Sequence, residues 1–336
     1  WVKHMFFYLK ALARYDIFHF SNAYGLSFGP TISNTFSLFQ LPPYAEIRLL
    51  KRLGKKIVYT NNGCLDGVSQ SSFRSLLGPE KESVCELCSW KDVPTVCSDE
   101  RNLEWGRIRN SLADFQCLSF GNRKDYNDDP RVHEVPEFYC LDPEFWRPDL
   151  LIPPDHRLSY PPGTVKIYHA VGNYNLRTDP STQRNLKCTH IYIPLIDRLK
   201  AEGYPVELIL AKDIPNKEVR YYQAQADIVV DMLTMGFFGA NVREAMMLGK
   251  PAICYLRPEW LENMHREIPD YVDELPVISA TPETIYSVII DLIQNPQKRL
   301  EIGRKSREFA LKWHSAKAGA ARMDKIYGEL LGRNSK

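Results

Sequence analysis

The feature that most constrains this chain is an alternation in its second half. Short runs of aliphatic and β-branched residues recur at Val165–Ala170, Val206–Ala211, Ile228–Leu233 and Pro251–Tyr255, and helical spacing fills the gaps between them. Neighbouring parallel strands cannot be joined by a tight turn, so strands that alternate with helices read as a parallel sheet with crossover helices. The first gap shows the pattern best. Tyr192, Leu195, Ile196 and Leu199 fall at i, i+3, i+4 and i+7 in a helix over Thr189–Glu202, and Gly203 stops it. Pro194 blurs where that helix starts. Asn216 caps a short helix to Ala226, and a helix over Asn241–Leu248 ends at Gly249. A short strand at Val277–Ala280 and helices near Pro282–Gln294 and Gln297–Tyr327 close the chain.

The first half repeats the theme less regularly. Trp1–Ala13 reads as a helix and Tyr15–Phe20 as a strand. A helix opened by Pro42 and Pro43 carries Ile47, Leu50 and Leu53 and closes at Gly54, before a buried strand at Lys56–Tyr59. The stretch 61–160 is irregular and holds six of the eight cysteines. A proline-rich segment, 143–163, marks a domain boundary, because proline stops either flanking element from running through. The expected fold is therefore α/β, with two doubly wound Rossmann-like domains facing a central cleft. Residues 1–142 form the first domain, with a Cys-rich irregular insert at 61–100, and 143–163 form a linker. Residues 164–312 form the second domain, and 313–336 a closing helix.

At roughly 150 residues per domain, 336 residues agree with two domains. A net charge of +2 supplies no basic field for nucleic acid. No run approaches the roughly 18 apolar residues of a membrane-spanning helix. Eight cysteines in a chain of this length are too few for a disulfide scaffold and point to a reducing compartment.

The segment Asp227–Tyr255 carries the strongest functional signal: a strand, a loop with Gly236 and Gly239, a short helix and another strand. Glycines let backbone approach a ligand, and a helix start offers unpaired N–H groups to an anion. Glu244 sits one turn inside, where a carboxylate can accept hydrogen bonds from ribose hydroxyls. Asn241 and Glu244 also have the spacing of a capping box, so a purely structural reading stands beside the functional one. Phe237 and Phe238 suit packing better than stacking on a ligand.

These residues carry a resemblance. Val165–Tyr255 resembles the donor-binding domain of GT-B glycosyltransferases, above all the large retaining family that builds bacterial surface polysaccharides. The match is Glu244-Ala245-Met246-Met247-Leu248-Gly249-Lys250-Pro251 against that family's Glu-Ala-Met-x-x-Gly-x-Pro. The resemblance implies that Glu244 holds the nucleotide ribose, while Gly236, Phe237 and Gly239 belong to the loop around donor phosphate and sugar. Gly236 stands where the family often has an earlier glutamate, eight residues before the second. Upstream, His169-Ala170-Val171-Gly172-Asn173 resembles the family's His-Ala-Pro-Ser strand end, and Lys187-Cys188-Thr189 its Lys-Gly-Thr. The resemblance places His169, Gly172 and Asn173 near the diphosphate and pairs Lys187 with it; Arg184 and Arg177 are further cations in the same loop. Ile214 corresponds to a loop that borders the nucleobase.

In the first half, Asp16-Ile17-Phe18-His19 and Gly63-Cys64-Leu65-Asp66 resemble the family's acceptor-side strand end and glycine turn. His19 would bond a sugar hydroxyl, and Asp66 would orient an acceptor or act as general base. A satisfied structural histidine and an Asx-turn are the competing readings. The family's first strand and its glycine loop have no counterpart in the sequence. Cys85-x-x-Cys88, with Cys97 and Cys64, fits a structural zinc site and fits buried thiols equally. The acidic cluster Asp125, Asp128 and Asp129 reads as a polar loop. Lys51, Arg52, Lys55 and Lys56 form a basic patch that suits a solvated helix end or peripheral membrane contact.

The implied activity is transfer of a sugar from a nucleotide-sugar donor to a glycan, lipid-linked or other surface-polysaccharide acceptor. It would take place in the cytoplasm or at the inner face of the membrane, and would need no cofactor for catalysis. The alternatives are a degenerate member that binds nucleotide sugar without turnover and an epimerase-like enzyme on the same scaffold.

Overall fold

The computed structural model describes residues 2–21, 44–61, 63–64, 66–79, 81–118 and 123–333. Pro42 and Pro43, expected to open a helix, lie outside them. Two compact units divide the chain. One takes the sequence up to Phe73, Ser98–Phe138 and the end from Ala321; the other takes Arg74–Cys97 and Tyr139–Ala320. Part of the Cys-rich insert expected in the first domain therefore belongs to the second unit.

The first unit contains α1 (Val2–Arg14), β1 (Ile17–Phe20), α2 (Ala45–Arg52), β2 (Lys56–Asn61), α3 (Asp99–Leu112), β3 (Phe115–Leu118) and β4 (Val132–Glu134). Its described strands pair in parallel in the order β1-β2-β3-β4, with His19 opposite Val58 and Val58 opposite Phe115. Ile47 and Leu50 bury against Phe18, Ile57, Tyr59 and Trp105, as their spacing on one helical stripe requires. Leu53, expected on that stripe, is exposed, because the helix ends at Arg52 and its phase is lost.

The second unit contains β5 (Val165–Val171), α4 (Thr189–Ala201), β6 (Val206–Lys212), α5 (Asn216–Ala224), β7 (Ile228–Val230), α6 (Ala240–Met247), β8 (Ala252–Cys254), α7 (Pro258–Glu267), β9 (Ile278–Ser279), α8 (Ile285–Gln294) and α9 (Pro296–Trp313). The described strands are all parallel, in the order β6-β5-β7-β8-β9. Chain order reverses beside β5, which makes a doubly wound sheet with its switch point at the carboxyl ends of β5 and β7. Tyr192, Leu195, Ile196 and Leu199 of α4 pack on Ile167, Ile228 and Val230 in one core. Pro194 is accommodated inside α4.

Two expectations about connections change. The proline-rich stretch is tied to the second unit: Leu158 N donates to Gln225 Oε1 (2.8 Å), and Arg307 Nη1 donates to the Trp146 carbonyl (2.8 Å). The closing helix is also two helices, α9 and α10 (Ala316–Leu330). Leu141 interrupts it. Its N–H donates to the His314 carbonyl (2.7 Å) and its carbonyl accepts from Ala316 N (2.8 Å), while Ser315 Oγ caps Ala318 N (3.1 Å). Among the described residues, no helix is long and apolar enough to cross a membrane.

Candidate functional site

At the carboxyl ends of β5 and β6 lies a cavity of about 190 Å³, lined by Ala170, Val171, Gly172, Ala211, Ile214, Asn216, Val219 and Glu244. Gly172, Ile214 and Glu244, chosen from three separate stretches of sequence, thus meet at one place. Asp213 helps shape it: it sits in the left-handed region (φ 53°), and its Oδ1 accepts from Tyr174 N (2.9 Å), which holds the 172–177 loop. Gly172 and Asn173 are exposed, as is Arg177. A Cβ on Gly172 or Gly239 would meet nothing within 4 Å, so both backbones face open space.

The helix that carries Glu244 begins differently from the expectation. Gly239 is the N-cap of α6 and Ala240 the first helical residue, so Asn241 is not the cap and no side chain caps this end. The capping-box reading of Glu244 therefore fails. Among the described residues, none donates a hydrogen bond to its carboxylate. Burial pushes its pKa up to about 7; Lys187 and Arg243 pull it down and Asp231 raises it.

Lys187 stands just before α4, and its Nζ bonds Asp231 Oδ1 at 2.6 Å. Asp231, at the end of β7, is fully buried, and its Oδ2 has no partner. Sequence reading missed this residue, although an acid closing an otherwise apolar strand, Ile228-Val229-Val230-Asp231, is a visible anomaly. Cys188 occupies the place of the motif's glycine with φ 61°, the backbone region that explains why the motif favours glycine there.

The remaining expected residues have structural partners. His169 is fully buried rather than lining the cavity. Its Nε2 pairs with Thr189 Oγ1 (2.8 Å), whose hydroxyl donates to Asn185 Oδ1 (3.2 Å), and its Nδ1 faces the Val230 carbonyl (3.4 Å). Burial lowers its pKa to about 4. The network continues from Asn185 Nδ2 to Thr178 Oγ1 (3.1 Å) and fixes the loop that leads to Lys187. Arg184 forms a two-pronged pair with Glu82 of the insert (2.7 and 2.8 Å) and lines a separate hollow of about 700 Å³ that excludes Glu244. Phe237 and Phe238 are buried, with Phe238 edge-on to Trp260. Gly236 has φ +89°, and a Cβ there would lie 2.8 Å from the Arg257 Cβ and guanidinium carbon. Arg257 thus fills the space that a side chain at position 236 would need.

In the first unit, His19 Nδ1 pairs with Tyr327 Oη (2.7 Å) and Nε2 with Thr60 Oγ1 (2.6 Å). Burial lowers its pKa to about 4. Asp66 Oδ1 accepts from Trp105 Nε1 (2.6 Å) and Arg109 Nη1 (3.1 Å). His19 thus has the partners of a structural histidine, and Asp66 those of a structural ion pair.

The four-cysteine metal site is not assembled: among the described residues, no group of three or more His, Cys, Asp or Glu could hold a metal ion. Cys64 belongs to the first unit and Cys85, Cys88 and Cys97 to the second. None of the eight cysteines forms a disulfide.

No protein-family model and no curated protein matches the chain. Solved structures do. Sucrose-phosphate synthase from Thermosynechococcus elongatus matches with a TM-score of 0.56 at 15% identity, over 98% of this chain and 77% of that one. A glycosyltransferase from Rickettsia africae matches with 0.54 at 11% identity, over 99% and 81%. Anabaena HepE, solved in complex with UDP, matches with 0.55 at 13% identity, over 97% and 82%. The chain has the two-sheet α/β fold of GT-B glycosyltransferases.

Proposed function

We propose that this chain is a glycosyltransferase that takes its sugar from a nucleoside diphosphate donor. The observation that carries the reading is the convergence of Gly172, Ile214 and Glu244 on one cavity at the carboxyl edge of the second sheet. Its position outside the carboxyl ends of the strands of a doubly wound sheet supports the reading, because ligands of such sheets bind on that edge. HepE, solved with UDP and with UDP-glucose, makes UDP-sugars the first donors to test.

In this reading Glu244 accepts hydrogen bonds from the ribose hydroxyls and Ile214 borders the base. Charge builds on the diphosphate as the glycosidic bond breaks. Lys187 and the open N-terminus of α6 stabilise that charge, which lowers the barrier to departure of the leaving group. A glycan or lipid-linked acceptor is the expected partner, and the phosphate work falls to these groups rather than to a catalytic metal.

A second reading, donor binding without turnover, draws on Gly236. Arg257 fills the space that a side chain at position 236 would need, where the resembled family often has a glutamate.

The test is calorimetric titration with UDP and UDP-glucose, followed by donor hydrolysis and transfer assays. Glu244→Gln should weaken UDP binding by about tenfold, the loss of a charge-assisted hydrogen bond. Unchanged affinity in that variant would sink the ribose assignment. Binding without hydrolysis or transfer would favour the second reading.

A further inference from the structure

Glu244 lines the cavity, and Asp231 and Lys187 act on it electrostatically. Asp231 lies at the end of β7, Lys187 just before α4, and Glu244 in α6. The Lys187 ammonium lies 2.6 Å from Asp231 Oδ1, so it is committed to Asp231 rather than to Glu244. With the ammonium taken by Asp231 and the Arg243 guanidinium set over aromatic rings, Glu244 is left without an ion pair of its own in a poorly hydrated place. The acid without an ion pair gives way first, and that acid is Glu244.

The other groups facing Glu244 do not cancel this. Arg243, on the same helix, lies over the rings of Tyr139 and Phe238 at 5.1 and 5.3 Å, with its Nε unpartnered. From β5, Tyr168 presents a buried hydroxyl that also has no partner. Asp231 Oδ2 is likewise buried and unmet. The cluster therefore keeps hydrogen-bonding capacity unused, which native interiors rarely do away from a site.

We propose that Asp231 is a positioning residue of this site: by holding the Lys187 ammonium, it decides whether Glu244 meets a nucleoside diphosphate as a carboxylate or as a carboxylic acid. The inference rests on the nucleotide reading above and goes beyond it, because it makes donor binding depend on pH through a residue that does not touch the donor.

Asp231→Asn and Lys187→Gln test it from opposite sides. UDP affinity is measured by calorimetry across the range from acid to mildly alkaline pH, with Glu244→Gln as the control that removes the protein's own titration step and leaves that of the phosphate. In the unaltered protein, affinity should fall as pH drops through about 7, the value to which burial brings Glu244. Asp231→Asn removes a neighbouring negative charge, so the midpoint should move down by about one pH unit. Lys187→Gln removes the opposing positive charge, so the midpoint should move up.

A purely structural role would weaken binding in both variants without opposite shifts. Where only one variant folds, the direction of its shift decides alone. A midpoint that stays in place in a folded variant, or shifts of the same sign in both, overturns the proposal. If the unaltered protein binds none of UDP, GDP, ADP and CDP, the nucleotide reading fails and this inference fails with it. If binding is present and loses its pH step in Glu244→Gln but not its midpoint in Asp231→Asn, only the role of Asp231 fails.

Discussion

At the scale of single residues, Glu244 is the informative case, because two readings of it predict opposite changes in stability. A capping residue stabilises its helix, and removing it costs about 1 kcal/mol. Here the cap is Gly239, and the Glu244 carboxyl is buried with a pKa raised from 4.5 to about 7. A raised acid binds its proton more tightly in the folded chain than in the unfolded one. Its stabilising contribution is complete below about pH 4.5 and is lost as pH rises through about 7. The span corresponds to about 3 kcal/mol. Glu244→Gln should therefore leave stability nearly unchanged in acid and raise it by an amount of that order at mildly alkaline pH. Urea unfolding of both proteins at two pH values measures it. A variant less stable than the parent at alkaline pH would contradict this account.

At the scale of elements, the sequence carried the periodic parts. The helix expected over Thr189–Glu202 runs Thr189–Ala201, and the strand expected over Val206–Ala211 runs Val206–Lys212. Hydrophobic spacing is local, so it survives without knowledge of the fold. What a single sequence hides are pairings between distant residues. Asp66 in its glycine turn gave no sign that Arg109 and Trp105 of α3 would reach it. Lys187 was legible as a cation, but its tie to Asp231 was not. The break between α9 and α10 depends on Leu141, far away in sequence.

The Asp66 pair yields a prediction at this scale. Arg109 is fully buried and its pKa is lowered by burial, with Asp66 opposing that shift. Removing the acid leaves a buried guanidinium without its counter-ion, although the carbonyls of residue 66 and Tyr126 (3.0 and 3.3 Å) and Asn127 Oδ1 (2.7 Å) still accept from it. Asp66→Ala should thus destabilise the first unit by about 3 kcal/mol. Chemical denaturation checks this. A variant of normal stability whose only defect is in turnover would restore the catalytic reading of Asp66.

At the scale of the whole molecule, histidines whose pKa is lowered by burial shape the response to acid: His19 in the first unit, His169 and His190 in the second. His19 in the first and His169 in the second are both held neutral, with pKa lowered from 6.5 to about 4 by burial. A depressed histidine takes up its proton in the unfolded chain first. Stability is therefore lost as pH falls from about 6.5 towards about 4, by about 3 kcal/mol for each residue. Glu244, in the second unit, works in the opposite sense over much of the same range. Burial also raises the pKa of Glu137 in the first unit, so the balance is best read by substitution.

Each unit has its own core, and unfolding of a two-unit chain need not be a single step. Scanning calorimetry from neutral pH to about pH 5 should resolve two transitions. His19→Gln should make the transition of the first unit less sensitive to acid and leave the other in place. Glu244→Gln should make that of the second unit more sensitive, because the acid that offsets His169 is gone. Substitutions that move both transitions together would mean that the units do not titrate independently, and that the charge balance within the second sheet does not by itself set how that unit responds to acid.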